Sequence, residues 1–289
     1  MSQPTHERKG TDMPTKRLLG PAAAHTAAWV YAAILVIPML YLVLSSFKSN
    51  LQIFTEPFGW PRAFNFDNYT RAWSVAQLGP ALGTSIYVTA ASVAVTLLLA
   101  VPAAYGLART TGKMNTSVHA LFAAGFLIPP FAALIPTVFL AIRLDLFQRP
   151  EFLIAFMPAT ALPLSVILLT AFMRTIPKEL GEAAAMDGAG HWRVLTRIYI
   201  PLSVPGIVTV VILQALGFWN EFFYSLVIVG TSPDTRTVQV ALPTALISEN
   251  TDYGVLAAGT LISLIPVYLV YIVLQRRMQD ALTAGAVKG

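Results

Sequence analysis

Two short groups of residues have types and spacing suited to chemistry, and neither is catalytic. The first is Trp219-Asn220-Glu221 with Tyr224. An indole, a carboxamide, a carboxylate and a phenol this close together set flat stacking surface beside hydrogen-bond acceptors. That is the chemistry with which a protein holds a hydroxylated solute. Glu221 is the one acidic residue placed inside an apolar span, where an ionised carboxylate is costly unless it faces water or a partner. It therefore either faces a solute pathway or pairs with a basic group across a subunit interface.

The second group is residues 174–205, RTIPKELGEAAAMDGAGHWRVLTRIYIPLSVP. Its charge and small residues exceed what a membrane span could bury. The order reads Glu182-Ala183-Ala184, then Asp187-Gly188-Ala189, then Ile198, Pro201 and Pro205. Physically this is a short helix, a break at Gly188, and a second helix ended by Pro201. Pro177 suits the first turn, with Glu179 and Glu182 near the positive end of the helix dipole. Ala183, Ala184 and Ala185 leave a slim surface that fits the groove of another protein. An interfacial amphipathic helix would instead need apolar bulk along one face, and residues 178–189 offer only Leu180 and Met186. In the second half, Trp192, Leu195, Ile198, Tyr199 and Leu202 recur at helical spacing, which predicts packing on neighbouring spans.

Other chemistries lack their residues. There is no cysteine, and His6, His25, His119 and His191 are scattered singly, so no metal ligands and no catalytic set are expected. Residues 106–114, GLARTTGKM, superficially resemble a phosphate-binding loop. They have five residues between the glycines where four are needed, and Met114 where Ser or Thr belongs. No cofactor is expected, and any ATP must be bound and hydrolysed by another chain. The pI near 9.5 does not indicate nucleic acid, because the basic residues are spread over loops.

The elements that must position these groups are membrane helices. Only 11% of the 289 residues are charged and 56% are hydrophobic, against about 25% charged in soluble domains. Six apolar segments can cross about 30 Å of hydrocarbon: residues 26–47, 81–107, 118–142, 152–172, 206–229 and 253–274. Pro129, Pro130, Pro136, Pro158 and Pro163 interrupt the third and fourth, and such prolines suit a packed bundle around a cavity. The expected class is an all-α integral membrane protein with six transmembrane helices. Residues 1–24 read as a disordered cytoplasmic extension, 25–276 as the six-helix domain and 277–289 as a cytoplasmic tail. The first apolar run is too long for the core of a cleaved signal peptide. With the N-terminus inside, 13 of the 19 Lys and Arg residues fall on the cytoplasmic side. The positive-inside rule thus places both termini, and residues 174–205, in the cytoplasm.

The EAA…DGA…I..P…P order resembles the signature cytoplasmic loop of permease subunits in binding-protein-dependent ABC importers. LSSFKSNLQIF, FNFDNYTRAW, PAAYGLAR, WNEFFYSLVIV and LTAGAVKG are similar to segments of the sugar-transporting, maltose-type branch. Leu195 stands where that branch usually has Phe, and Thr84-Ser85 where many members show Asn-Ser. The resemblance implies a type I importer subunit in the cytoplasmic membrane. Its partners would be a second, homologous permease, two ATP-binding cassette ATPases and an extracytoplasmic sugar-binding protein. Glu182, Ala183, Ala184, Asp187, Gly188 and Ala189 would form the ATPase-coupling loop. Trp219, Asn220, Glu221 and Tyr224 would line the translocation path. Residues 230–252, with Pro233, Asp234, Glu249 and Asn250, would face the binding protein. The rival readings are an ion-coupled secondary transporter, which wants midplane ionisable residues and an internal repeat, and a membrane enzyme, which wants clustered acids or histidines.

Overall fold

The computed structural model describes residues 21–127, 129–247 and 250–286, and all regular structure among them is helical. Most of the expected extension 1–24, Glu249 of the outer loop and the last three residues of the tail lie outside the described residues. The first described helix is α1 (Pro21–Ser45), which begins four residues ahead of the expected domain start. Two short helices, α2 (Asn50–Thr55) and α3 (Asp67–Val75), lead into the long α4 (Leu78–Arg109). Then come α5 (Lys113–Ala124), α6 (Pro130–Arg143) and α7 (Pro150–Met173). The polar segment folds as α8 (Lys178–Met186), α9 (His191–Val194), a π-helical turn over Leu195–Tyr199 and α10 (Ile200–Leu202). The C-terminal part holds α11 (Val204–Trp219), a second π-helical turn over Ser225–Val229, α12 (Val238–Leu246) and α13 (Tyr253–Ala286).

Among the described residues, four helices are long and apolar enough to cross a membrane: α1 over Ala23–Ser45, α4, α7, and α13 over Tyr253–Val273. A fifth is reached if His191–Leu202 and Val204–Trp219, which meet at a 75° bend, count as one span. The third and fifth expected spans are each divided. Pro129 and Pro130 separate α5 and its trailing 3-10 turn (Gly125–Leu127) from α6, because proline has no N–H and restricts the residue before it. Pro158 and Pro163 lie inside α7 without ending it. Residues 206–229 break after Trp219. The last span continues as helix past Leu274 into the expected tail.

The heart of the bundle is α4 against α7, the most extensive packing of two elements in the chain. Ser85, Val88, Ser92, Thr96, Ala100, Ala104 and Ala108 form a buried stripe on α4 at spacings of three and four. Small side chains let two backbones approach, which matters in lipid because apolar surface gains little by leaving hydrocarbon. Ser92 Oγ donates to Met157 Sδ (3.8 Å) and Thr96 Oγ1 to the Ser92 carbonyl (2.7 Å). Such side-chain bonds between and along spans contribute roughly 0.6 kcal/mol each, so packing carries most of the stability.

Residues 230–252 are more than a solvated connector. They include α12, whose Val238, Val240, Ala241 and Leu242 are buried. Arg236, also buried, donates from Nη2 to the carbonyl of Ala76 (3.0 Å), and the Val238 N–H donates to Ser85 Oγ (2.8 Å). This end of the molecule also carries Lys48, whose Nζ donates to the carbonyls of Glu56 and Pro57, and an Arg71–Asp252 ion pair at 2.7 Å. Beside it, the Arg62 guanidinium bonds Glu56 and holds that exposed carboxyl below its ordinary range.

Candidate functional site

The polar segment is a helix closed by a glycine turn. Asp187 ends α8 and Gly188 follows with φ +81°. The Gly188 N–H donates to the carbonyl of Ala185 (3.0 Å), and the Ala189 N–H to that of Ala184 (2.9 Å). This pair of bonds is the Schellman arrangement, and its left-handed residue is one that side-chain-bearing residues resist. A Cβ at Gly188 would meet nothing within 4 Å, so the requirement for glycine here is backbone conformation and not space. Ala184 and Ala189 turn inward, half-buried against the cluster that contains Val166, Leu169 and Tyr199. Glu182, Ala183, Asp187 and Gly188 face outward. Leu180 and Met186 are exposed as well, Met186 at 89%, and so is Trp192 of α9. Of the other apolar residues expected to pack on neighbouring spans, Leu195 and Tyr199 are buried and Ile198 half-buried, whereas Leu202, beside the bend, is exposed like Trp192.

The break after Trp219 is a capped restart. Glu221 Oε1 accepts the N–H of Tyr224 (2.8 Å), and Oε2 accepts the N–H and the hydroxyl of Ser225 (2.8 and 2.9 Å). The carboxylate thus takes donors at the start of the π-helical turn, where the helix dipole is positive. This is a third role, beside the pathway and the interface pairing considered from the sequence. Glu221 is half-buried and, with Tyr224, lines a cavity of about 360 Å³ between α6, α7 and α11. Aromatic rings make much of its wall. Phe131 meets Phe223 edge-on at 4.9 Å, and Phe156 lies 4.6 Å from Tyr224.

The four residues expected together are divided. Trp219 points away, into a buried cluster with Ala72, Leu78 and Val238, and its Nε1 has no hydrogen-bond partner among the described residues. Asn220 is exposed, donating to the Leu216 carbonyl (2.9 Å) and accepting from Gln239 (3.3 Å). Sequence reasoning missed Gln214, which lines the same cavity as Glu221 and donates to Ser165 Oγ at 3.0 Å. Its signal was available: a single amide in the otherwise apolar run VPGIVTVVILQALGFW, seven residues before Glu221. Arg109, at the end of α4, was likewise counted only as a charge.

Comparison with known proteins bears on both regions. Residues 96–283 match the family described as "Binding-protein-dependent transport system inner membrane component". The diacetylchitobiose uptake system permease protein NgcG of Streptomyces coelicolor is 32% identical over 266 residues, covering 91% of this chain and 88% of that protein. The probable ABC transporter permease protein YurM of Bacillus subtilis is 31% identical over 91% of this chain and 89% of its own length. The melibiose/raffinose/stachyose import permease protein MelC of Bacillus subtilis is 29% identical over 88% of this chain and 91% of its own length. Among solved structures, a bacterial ABC transporter involved in the import of the acidic polysaccharide alginate shares the fold. Its TM-score is 0.78 at 22% identity, covering 95% of this chain and 99% of that one.

Proposed function

The chain belongs to the family of binding-protein-dependent transport system inner membrane components, and from that premise we propose that it is one permease subunit of an ATP-driven sugar importer. The relatives that handle diacetylchitobiose and melibiose, raffinose or stachyose favour a short oligosaccharide as the solute. The chain crosses the membrane six times, the third and fifth crossings being the divided ones. Both termini and α8 are cytoplasmic, in line with the 13 basic residues assigned to that side. A homologous permease pairs with it, two ATPases dock below on the outward face of α8, and a sugar-binding protein docks above. ATP-driven closure of the ATPases displaces α8, and the spans follow as semi-rigid bodies that open a shared central path alternately to each side. Tyr224 and Gln214 face that path, with Glu221 capping the turn at its edge.

The observation that carries this reading is the outward face of α8. Ala183, Met186 and Gly188 are exposed in a segment whose C-terminal turn is closed by its own backbone bonds. An ion-coupled transporter is less favoured, because Glu221, the acid such a cycle would use, already bonds three donors of its own chain. The test is purification of the tagged chain with its co-expressed neighbours, followed by reconstitution. Co-purifying ATPase, and uptake of labelled oligosaccharide that needs ATP and binding protein, are expected. Uptake driven by an ion gradient without any ATPase would overturn the assignment.

A further inference from the structure

Arg109 is the last residue of α4, and its guanidinium lies where three elements meet. Nη1 donates to the carbonyl of Lys178 (3.1 Å), the first residue of α8, and to the hydroxyl of Tyr199 (3.0 Å), in the second arm of the loop. Its Cζ lies 5.6 Å from the centroid of the Tyr199 ring. Tyr199 is almost completely buried and meets Tyr105 edge-on at 4.9 Å. Tyr105 and Arg109 are one helical turn apart and share a face of α4, so ring and cation together hold the loop. Gly181 completes the seat. A Cβ there would lie 3.1–3.2 Å from Nη2, Cζ and Nη1 of Arg109, closer than side chains ordinarily pack.

Little else fastens α8 to the spans. Gly181 is its one buried residue and Ala184 its one half-buried residue. A displacement of α8 therefore reaches the membrane domain through the Arg109 seat, the Ala184 contact and the chain on either side, held by Ile176 before the helix and the Gly188 turn after it. From that seat α4 runs for 32 residues, about 48 Å at 1.5 Å per residue, and its small-residue stripe locks it to α7. Met157, Thr160 and Leu164 of α7 line the Glu221 cavity. We propose that Arg109 is the positioning residue through which motion of the ATPase-docking helix enters the spans, with Tyr199 and Gly181 as its seat. This rests on the importer reading above. Nη1 donates both bonds while Cζ lies over the Tyr199 ring, and a lysine ammonium, without the planar delocalised cation, would reproduce only part of that arrangement.

The test uses the full complex in proteoliposomes, with labelled oligosaccharide, binding protein and ATP, and reads ATP hydrolysed per solute taken up. Arg109→Gln is expected to retain its ATPase subunits and hydrolyse ATP while uptake falls by about tenfold or more, the loss of charge-assisted bonds. Arg109→Lys should recover only part of the coupling. Tyr199→Phe, which keeps the ring and removes the hydroxyl acceptor, should cost about two- to threefold, and adding it to Arg109→Gln should cost little more because both act in one network. Gly181→Ala is the sharpest arm. Helix propensity alone favours the substitution, whereas a filled seat must push the guanidinium aside and raise the ATP-to-solute ratio. A normal ratio in both Arg109→Gln and Gly181→Ala would overturn the proposal. So would loss of ATPase from Arg109→Gln with Gly181→Ala unaffected, which would make Arg109 a support of the fold only. An unaltered complex that retains no ATPase would overturn the importer reading itself, and the proposal with it.

Discussion

The helix break at Gly188 and the helix break at Glu221 solve the same problem in opposite ways. Each must satisfy backbone groups freed where a helix stops or starts. At Gly188 the chain uses its own N–H groups and a left-handed glycine, so no side chain is committed and the outer surface stays open. At Glu221 the chain commits a carboxylate, which takes three donors of the following turn. On the proposed reading the first meets another protein. The second caps the restart of an interrupted span beside a cavity. A charged residue in a membrane span is therefore not by itself a sign of solute contact, and a segment of small residues is not by itself filler.

The largest effect should come from damaging the glycine turn. Gly188→Val puts a β-branched residue at φ +81°, where the left-handed conformation costs about 1–2 kcal/mol even without branching. Uptake should be abolished and ATPase retention lost. Gly188→Asn, which tolerates that backbone, should keep a measurable part of both. Equal loss in the two variants would mean that bulk and not conformation matters there, against the open space around the missing Cβ.

The next prediction separates docking from folding within one helix. Ala183 is exposed while Ala184 packs against the chain's own core. Ala183→Leu should leave thermal stability within about 0.5 kcal/mol yet reduce ATPase retention. Ala184→Leu should lower stability as well, by the roughly 1–3 kcal/mol typical of overpacking. If Ala184→Leu alone lost the ATPase, the outward face would not be the docking face.

The smallest effect belongs to Glu221. Glu221→Gln keeps one acceptor oxygen and loses the charge, so the cap should weaken by about 1 kcal/mol. Lower recovery of the complex with unchanged sugar selectivity is the expected outcome. A changed preference among labelled sugars would assign Glu221 to the solute as well as to the cap.

Much of this architecture was legible in the residues. Apolar length alone located α1, α4, α7 and α13, because a bilayer imposes a minimum run. The first helix and the turn of 174–205 also followed from Pro177, which stands at the N-cap, and from Gly188, whereas Pro201 does not end the second arm: it lies inside the helical turn Ile200–Leu202, and the break comes at Ser203. The divided spans were harder. The prolines of the third and fourth runs look alike in sequence, yet only the adjacent pair Pro129-Pro130 ends a helix, because packing sustains α7 through Pro158 and Pro163. Helix α12 was missed because its apolar run of nine residues is too short to register as a span. Trp219, Asn220, Glu221 and Tyr224 were grouped by proximity in sequence. Even on one continuous helix Trp219 and Tyr224, five residues apart, would lie about 140° from each other, and the break after Trp219 separates them further, which proximity in sequence does not show.

Cross-linking from the outward face of α8 tests the central claim most directly. The chain has no cysteine, so Ala183→Cys places a single thiol there, and a short cross-linker can be applied to membranes holding the assembled complex. The expected product is one adduct between this chain and a polypeptide that a photoreactive ATP analogue also labels. An adduct to a chain that binds no ATP, or labelling of the thiol by an impermeant reagent from outside intact cells, would contradict the account.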